Sequence, residues 1–310
     1  MARDKTTKRP TSVRPAAASG GAMPRRPYGR DGTMISVIGM GGIVIASAEQ
    51  EHANRVVAQA VERGVNYFDV APTYGQAELR LGPALEPYRK DCFLACKTTE
   101  RTAEGARREL NQSLLNLRTD HLDLYQLHAI TDVAKDVDAA FAAGGAMEVF
   151  LEARRSGQVR HLGFSAHSEA AALAAMDRFD FDSVLLPVNF ACWMQGDFPP
   201  RVLDMARRKG LTILALKALA RQNWPADAPP GSPRRKQYPG CWYEPITDPH
   251  EAGLALRFTL GQGVTAALPP GAEEVFWLAV SLAADLRPLS AEEEGELRAL
   301  AGGLSPVFTV

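Results

Sequence analysis

From Ser36 onward, short apolar runs alternate eight times with amphipathic segments. The apolar runs at 36–39, 65–69, 92–97, 122–128, 161–165, 183–189, 212–217 and 265–268 read as strands. The segments at 49–63, 77–85, 102–117, 145–156, 168–178, 199–209, 249–260 and 273–284 read as helices. Most strands recur at roughly thirty-residue intervals, the length of one strand-plus-helix unit. That predicts a single (β/α)8 TIM barrel rather than a doubly wound open sheet. Glycines after Arg63, Ser156 and Lys209 stop helices just before strands, with basic residues near several of those ends, as helix electrostatics favours. Two connections, 129–144 after the fourth strand and 218–248 after the seventh, are long and fall on the face where barrel enzymes build their sites. Ser290, with Glu293 three residues on, marks the start of an extra C-terminal helix.

Composition separates the first residues from the rest. Basic residues among Pro, Ala, Ser and Gly, with almost no large apolar side chains, make 1–27 an expected disordered basic extension and 28–310 the barrel domain. Arg25-Arg26 ahead of the apolar run 34–46, with Ala46-Ser47-Ala48 as a small-residue site, has the form of a twin-arginine export signal. Cleavage there would remove the first strand, so a cytoplasmic protein is the expectation. The net charge of −1 supplies no basic field, and neither nucleic acid nor membrane is an expected partner. The four cysteines form no CxxC pair, which points to neither a disulfide framework nor a zinc ribbon. A monomer or small homo-oligomer is expected.

Three successive strands end in titratable groups: the second in Asp69, the third in Lys97 and the fourth in His128, with Tyr74 on the turn after Asp69. Each alone has a plain explanation, as a turn former, a snorkelling strand end and a hydrogen-bonded core histidine. In a parallel barrel, however, neighbouring strand ends converge, so the four should meet at the C-terminal face. The histidines form no ligand cluster, and no metal is expected.

Asn66-Tyr67-Phe68-Asp69, Tyr74-Gly75-Gln76-Ala77-Glu78, Ala95-Cys96-Lys97-Thr98 and Gln126-Leu127-His128 together resemble the aldo-keto reductases, in family order. The leucine and glycine of Leu79-Arg80-Leu81-Gly82 and the run His121-Leu122-Asp123-Leu124-Tyr125 match as well. The resemblance implies carbonyl reduction with NADP(H) or NAD(H), with Tyr74 as proton donor, Lys97 lowering its pKa, Asp69 holding Lys97, and His128 orienting the carbonyl. It further implies Ser165 and Asn189 on the nicotinamide, with Leu216 where an aromatic residue often stacks and Lys217 in reach of the pyrophosphate. Gly271 and Ala272 fall on the adenosine-phosphate turn, and Glu274 stands close by. Gly41 and Gly42 form a glycine loop that fits a close ligand approach.

Several positions depart from the family pattern. Ala166 or His167 replaces the usual asparagine after Ser165, Leu185 stands where a glutamine is common, and Trp277 stands where an arginine is common. Without basic residues for the extra ribose phosphate, NAD(H) is expected to serve at least as well as NADP(H). Trp193, Trp224 and Trp242 are candidate substrate contacts, their faces suited to a sugar ring. The expected substrate is a small aldehyde, ketone or sugar-derived carbonyl. Two alternatives stand beside this reading: a nucleotide-sensing regulatory subunit with little turnover, and a redox-neutral sugar-modifying enzyme with tightly held NAD.

Overall fold

In the computed structural model, which describes residues 22–310, a hairpin of β1 (Arg25–Tyr28) and β2 (Thr33–Ser36) leads into the barrel. The barrel strands are β3 (Met40–Gly41), β4 (Tyr67–Asp69), β5 (Phe93–Thr98), β6 (Leu122–Ile130), β7 (Val159–Ala166), β8 (Ser183–Pro187), β9 (Thr212–Leu216) and, after a second hairpin of β10 (Ala220–Gln222) and β11 (Glu244–Pro245), β12 (Ala266–Leu268). They form one parallel sheet in the order β12-β9-β8-β7-β6-β5-β4-β3. A parallel bridge between Ile38 and Ala267 closes it, with the Gly39 N–H donating to Ala267 O (3.0 Å) and the Ala267 N–H to Val37 O (2.8 Å). This is the (β/α)8 barrel that the alternation predicts.

The helices are α1 (Gln50–Glu62), α2 (Ala77–Leu85), α3 (Ala103–Asn116), α4 (Ala139–Phe141), α5 (Ala146–Ser156), α6 (Glu169–Arg178), α7 (Phe190–Gly196), α8 (Pro200–Lys209), α9 (Pro233–Lys236), α10 (Pro249–Gly261), α11 (Glu273–Leu282) and α12 (Ala291–Ala301). Local chemistry sets several boundaries. The Thr102 and Ser168 side chains cap α3 and α6, and Ser290 with Glu293 forms the expected capping box on α12. Gly157 ends α5 at φ 82°, a left-handed conformation that a side chain would strain.

Two cores result. Tyr67, Phe93, Leu124, Leu185, Leu214 and Leu268 fill the barrel interior, while a larger apolar layer lies between sheet and helices. Leu185, which stands where a polar residue was a family expectation, is therefore part of the interior packing.

The N-terminal boundary differs from the expectation. Residues 1–21, most of the expected extension, lie outside the described residues. Residues 25–27, assigned to the same extension, instead belong to β1. Arg26 donates to Leu260 O (3.0 Å) and Val264 O, and Tyr28 enters the interior core, where its hydroxyl donates to Ser183 Oγ (2.9 Å). Ser36 ends this hairpin, so barrel pairing begins after it, with the Ile38–Ala267 bridge and then Met40 on β4. Charge and proline disguise the segment because its anchors are two residues facing distant partners. The connection after β9 is also more ordered than an open loop, since β10 and β11 pair across its base.

Candidate active site

The alternation of side chains along β4 places Tyr67 and Asp69 on one side, and Asp69 is buried at the strand's end. The chain then turns: the Tyr74 N–H donates to Ala71 O (3.0 Å), Gly75 adopts φ 61°, and the Ala77 N–H donates to Tyr74 O (3.1 Å) as α2 begins. That turn holds the Tyr74 side chain over Lys97.

Lys97 is wholly buried on β5. Its Nζ pairs with Asp69 Oδ1, donates to Val70 O (3.2 Å), and lies 5.1 Å from the Tyr74 ring centroid. Burial is the largest influence on this amine and would lower its pKa, but Asp69 and then Tyr74 hold it above the ordinary value. Asp69 Oδ2 accepts from Tyr67 OH (3.4 Å) and Gln126 Nε2 (3.3 Å). Neither partner was among the sequence candidates. Their signal was the two-residue period: Tyr67 precedes Asp69, and Gln126 precedes His128, by one strand repeat.

His128 is set by an irregularity. The register of β6 against β7 shifts between Leu127 and Ile130, and Ala129 is left-handed at φ 52° with its N–H donating to Ser165 Oγ (2.7 Å). Such a bulge re-aims the side chain beside it. The ring stands edge-on to Tyr74, centroids 5.6 Å apart at 81°, with Nδ1 3.4 Å from Thr73 Oγ1. Arg101 donates to His128 O (2.7 Å) and is itself held by Asp136 (3.1 Å), so the long connection after β6 braces the histidine. Burial, with the positive charge of Lys97 next, pushes the imidazole down to about 2. It is a neutral hydrogen-bonding group throughout the physiological range.

Burial raises the Tyr74 pKa; Lys97 does pull it down, but burial outweighs that pull. The phenol is thus held protonated, as a proton donor must be before it acts.

The four groups that the strand ends promised are therefore one cluster. A profile of the Aldo/keto reductase family matches residues 37–237. The chain belongs to that family.

Two relatives give the range of similarity. The uncharacterized oxidoreductase YqkF of Bacillus subtilis (strain 168) is 25% identical over 87% of this chain and 94% of its own length. The 6-dehydroglucose reductase of Novosphingobium aromaticivorans is 28% identical over 63% of this chain and 68% of its own. Among solved structures, the holo form of aldo-keto reductase AKR11C1 from Bacillus halodurans superposes with a TM-score of 0.70, covering 92% of this chain and 98% of that one at 23% identity, a likeness of fold.

The remaining candidates of this aldo/keto reductase fall in distinct places. Ser165 is buried, and its hydroxyl accepts the Ala129 N–H, leaving its own proton free to donate. Asn189 Oδ1 caps α7 through the Cys192 N–H (2.9 Å), while its buried Nδ2 has no partner. These are two donors that fit a nicotinamide carboxamide. A groove of about 420 Å³ runs between Ile43 and the β9–β12 connection, with Arg235, Lys236, Tyr238 and Trp242 in its lining. Its shape depends on glycine: a Cβ on Gly240 would sit 2.4 Å from Gly271 O. A cationic groove of that size suits the anionic part of a dinucleotide.

Other positions depart from the expectation. Lys217 points its Nζ toward His167 Nε2 (3.1 Å), among the rings of Trp242, Tyr243 and Phe308, so the cations of the groove are Arg235 and Lys236 instead. Leu216 packs on the interior core. The Gly271–Ala272 turn lies against the buried Cys241 thiol, whose pKa burial pushes up to about 12 against the opposing effect of the two backbone amides. Glu274 interacts with Tyr238, and Glu273 accepts from His52 (2.6 Å) and Trp277 Nε1 (3.1 Å). Gly42 answers to packing rather than a ligand, because a Cβ there would lie 2.8 Å from Val70; Gly41 has only Ile43 within contact. Trp193 packs edge-on against Phe258, and Trp224 donates to Cys241 O (3.0 Å) inside the connection. Of the three tryptophans, Trp242 is the one near the Lys217 amine.

Proposed function

We propose that this protein interconverts an aldehyde, ketone or sugar-derived carbonyl and its alcohol, using a nicotinamide dinucleotide as the hydride carrier. The observation that carries the reading is a wholly buried lysine locked to Asp69 directly beneath a protonated tyrosine and an edge-on neutral histidine. When bound, the nicotinamide supplies or accepts the hydride. Every other part of the reaction falls to the chain. Neutral His128 donates a hydrogen bond to the carbonyl oxygen and fixes its direction. Tyr74 OH gives that oxygen its proton, and the phenolate left behind is stabilised by the Lys97 ammonium, which Asp69 keeps charged and in place. Ser165 and Asn189 orient the carboxamide, and Arg235 and Lys236 attract the phosphates.

The test is Tyr74→Phe, assayed by nicotinamide absorbance over a panel of carbonyl compounds and sugar alcohols. Loss of about 10²–10⁴ in kcat with unchanged dinucleotide affinity is expected for removal of a general acid. Wild-type rates in the variant would defeat the assignment. With the carboxylates of Glu273 and Glu274 in the first turn of α11, where they would repel an extra ribose phosphate, NAD(H) should serve at least as well as NADP(H). A hundredfold NADPH preference at equal concentration would sink that expectation.

A further inference from the structure

Among the described residues, Lys217 is the buried amine of this face that the reaction above does not use. It is 8% exposed and left-handed at φ 60°, a conformation that costs an ordinary residue about 1–2 kcal/mol. The turn is held by Val188 N–H donating to Leu216 O (3.2 Å) and Ala220 N–H donating to Lys217 O (2.9 Å). Among the described residues the amine's hydrogen-bond partner is His167 Nε2, at 3.1 Å. Three aromatic rings surround it, with centroids of Phe308, Trp242 and Tyr243 at 5.3, 5.7 and 6.0 Å. Phe308 stacks on His167 at 4.8 Å and 19°, and the C-terminal segment that carries it is fastened by Val310 N–H to Gly196 O (2.9 Å) and by Asn223 to Pro306 O (2.8 Å).

A lysine so placed is out of balance. The ionisable groups that act on it are Cys192 and Lys97, with no carboxylate among them. Burial therefore pushes its pKa down to about 7, and pushes His167 down to about 3. A buried ammonium with three donors and one neutral partner is a poor structural element, because a buried cation ordinarily has a counter-charge. The His167 backbone N–H donates to Ile130 O (3.0 Å), two residues beyond His128, which sets the pair at the same end of the barrel as the reacting groups.

We propose that Lys217 and His167, roofed by Trp242, Tyr243 and Phe308, form a subsite for a carboxylate carried by the substrate. The Lys217 ammonium donates one proton to His167 Nε2, which also fixes its direction, and its remaining protons, matched by no carboxylate among the described residues, suit the oxygens of a carboxylate. The flat apolar walls suit the carbon skeleton or sugar ring that bears it. This rests on the carbonyl-reducing reading of the site and adds the substrate class: aldehydes or ketones that are also acids. The alternative source of anionic oxygen is the dinucleotide phosphate, and the experiment separates the two.

The experiment compares substrates that differ only in the acid group, succinic semialdehyde against butanal and D-glucuronate against D-glucose, in the wild type, Lys217→Met and Lys217→Gln. A charged hydrogen-bonded contact predicts an acid-to-neutral ratio in kcat/KM of about ten- to a hundredfold, falling to about one in both variants. A wild-type ratio of one or below, or a ratio unchanged in the variants, overturns the proposal. So does weakened NAD(P)H binding in the variants with an unaltered ratio, which would assign the cation to the phosphates. Succinate binding, followed by Trp242 fluorescence, needs no turnover and stands even if the carbonyl reading fails. Saturable quenching lost in Lys217→Gln supports the subsite, and no quenching in the wild type overturns it.

Discussion

Replacing Asp69 by asparagine isolates the Lys97 charge while keeping the shape of the side chain. Lys97 has no exposed surface, and beyond Asp69 it has only Val70 O and the Tyr74 phenol. Coulomb attraction at contact in a protein of effective dielectric ~20 is roughly 4 kcal/mol. Mutations that strand one member of a buried pair cost about 3–5 kcal/mol. Against a total stability of about 5–15 kcal/mol, Asp69→Asn should remove roughly a fifth or more of the protein's margin. At ~2 °C per kcal/mol for a chain of this size, the melting temperature should fall by about 6–10 °C. The decisive form is a denaturant-unfolding cycle with Lys97→Met and the double variant. Removing both charges should recover most of the loss, giving a coupling of at least ~2 kcal/mol. The sign with pH follows from Lys97, whose folded pKa lies above its reference value of 10.5. In the wild type its contribution is complete below the unfolded pKa and is lost only as pH rises through the folded one; in Asp69→Asn burial is no longer opposed by a carboxylate and lowers the Lys97 pKa, so the penalty should be no larger at pH 8 than at pH 6. A single-mutant cost under ~1 kcal/mol, or additivity within ~0.5 kcal/mol, would refute a buried ion pair at this position.

Two further outcomes follow from the same geometry. His128 and His167 are held down to about 2 and about 3, against 6.5 when unfolded, so the unfolded chain takes up their protons first as pH falls. Their contribution is full above pH 6.5 and is lost below it at ~1.4 kcal/mol per pH unit for each, an order-of-magnitude slope. Urea midpoints measured from pH 7 to pH 5 should show that slope flattened in His128→Gln/His167→Gln, and an unchanged slope would count against it. Gly82→Ala would place a Cβ 2.2 Å from Asn116 O and 2.9 Å from Leu117 Cα, forcing α2 off the end of α3. A loss of about 1–3 kcal/mol in chemical denaturation is expected, and a wild-type midpoint would show that the helices tolerate separation.

The barrel and its four-residue cluster could be read from sequence for one reason: a strand writes its interior face in every second residue, and closure then makes strand ends neighbours. Asp69, Lys97 and His128 needed no further information. What escaped was set by contacts whose partners lie on unrelated elements. Arg26 and Tyr28 look like parts of a polar extension until Leu260, Val264 and Ser183 are found opposite them. Lys217 reads as a groove cation by its position after β9, yet its left-handed backbone turns it toward His167 at the end of β7. Gly240 gave no sign that it would pack against Gly271 O, because that contact depends on how a long connection folds back.

The two left-handed residues at the mouth of the barrel make the same point energetically. Ala129 follows His128, and Lys217 ends the run of β9. Neither is glycine, so each holds a conformation that costs an ordinary residue about 1–2 kcal/mol. Each is fixed by a specific hydrogen bond, Ala129 N–H to Ser165 Oγ and Ala220 N–H to Lys217 O. A glycine would relieve the strain at 217 and delete the amine. At 129 it would free the backbone that aims His128. The barrel wall is a rigid, fully paired sheet, so the deviations needed to turn side chains inward collect at its last residues. Those are the residues that face the substrate, and the strain there has a purpose only if direction at that rim matters. The irregularity of β6 and the turn after β9 thus support one reading: His128 is aimed at the carbonyl, and Lys217 at a charge that no carboxylate among the described residues supplies.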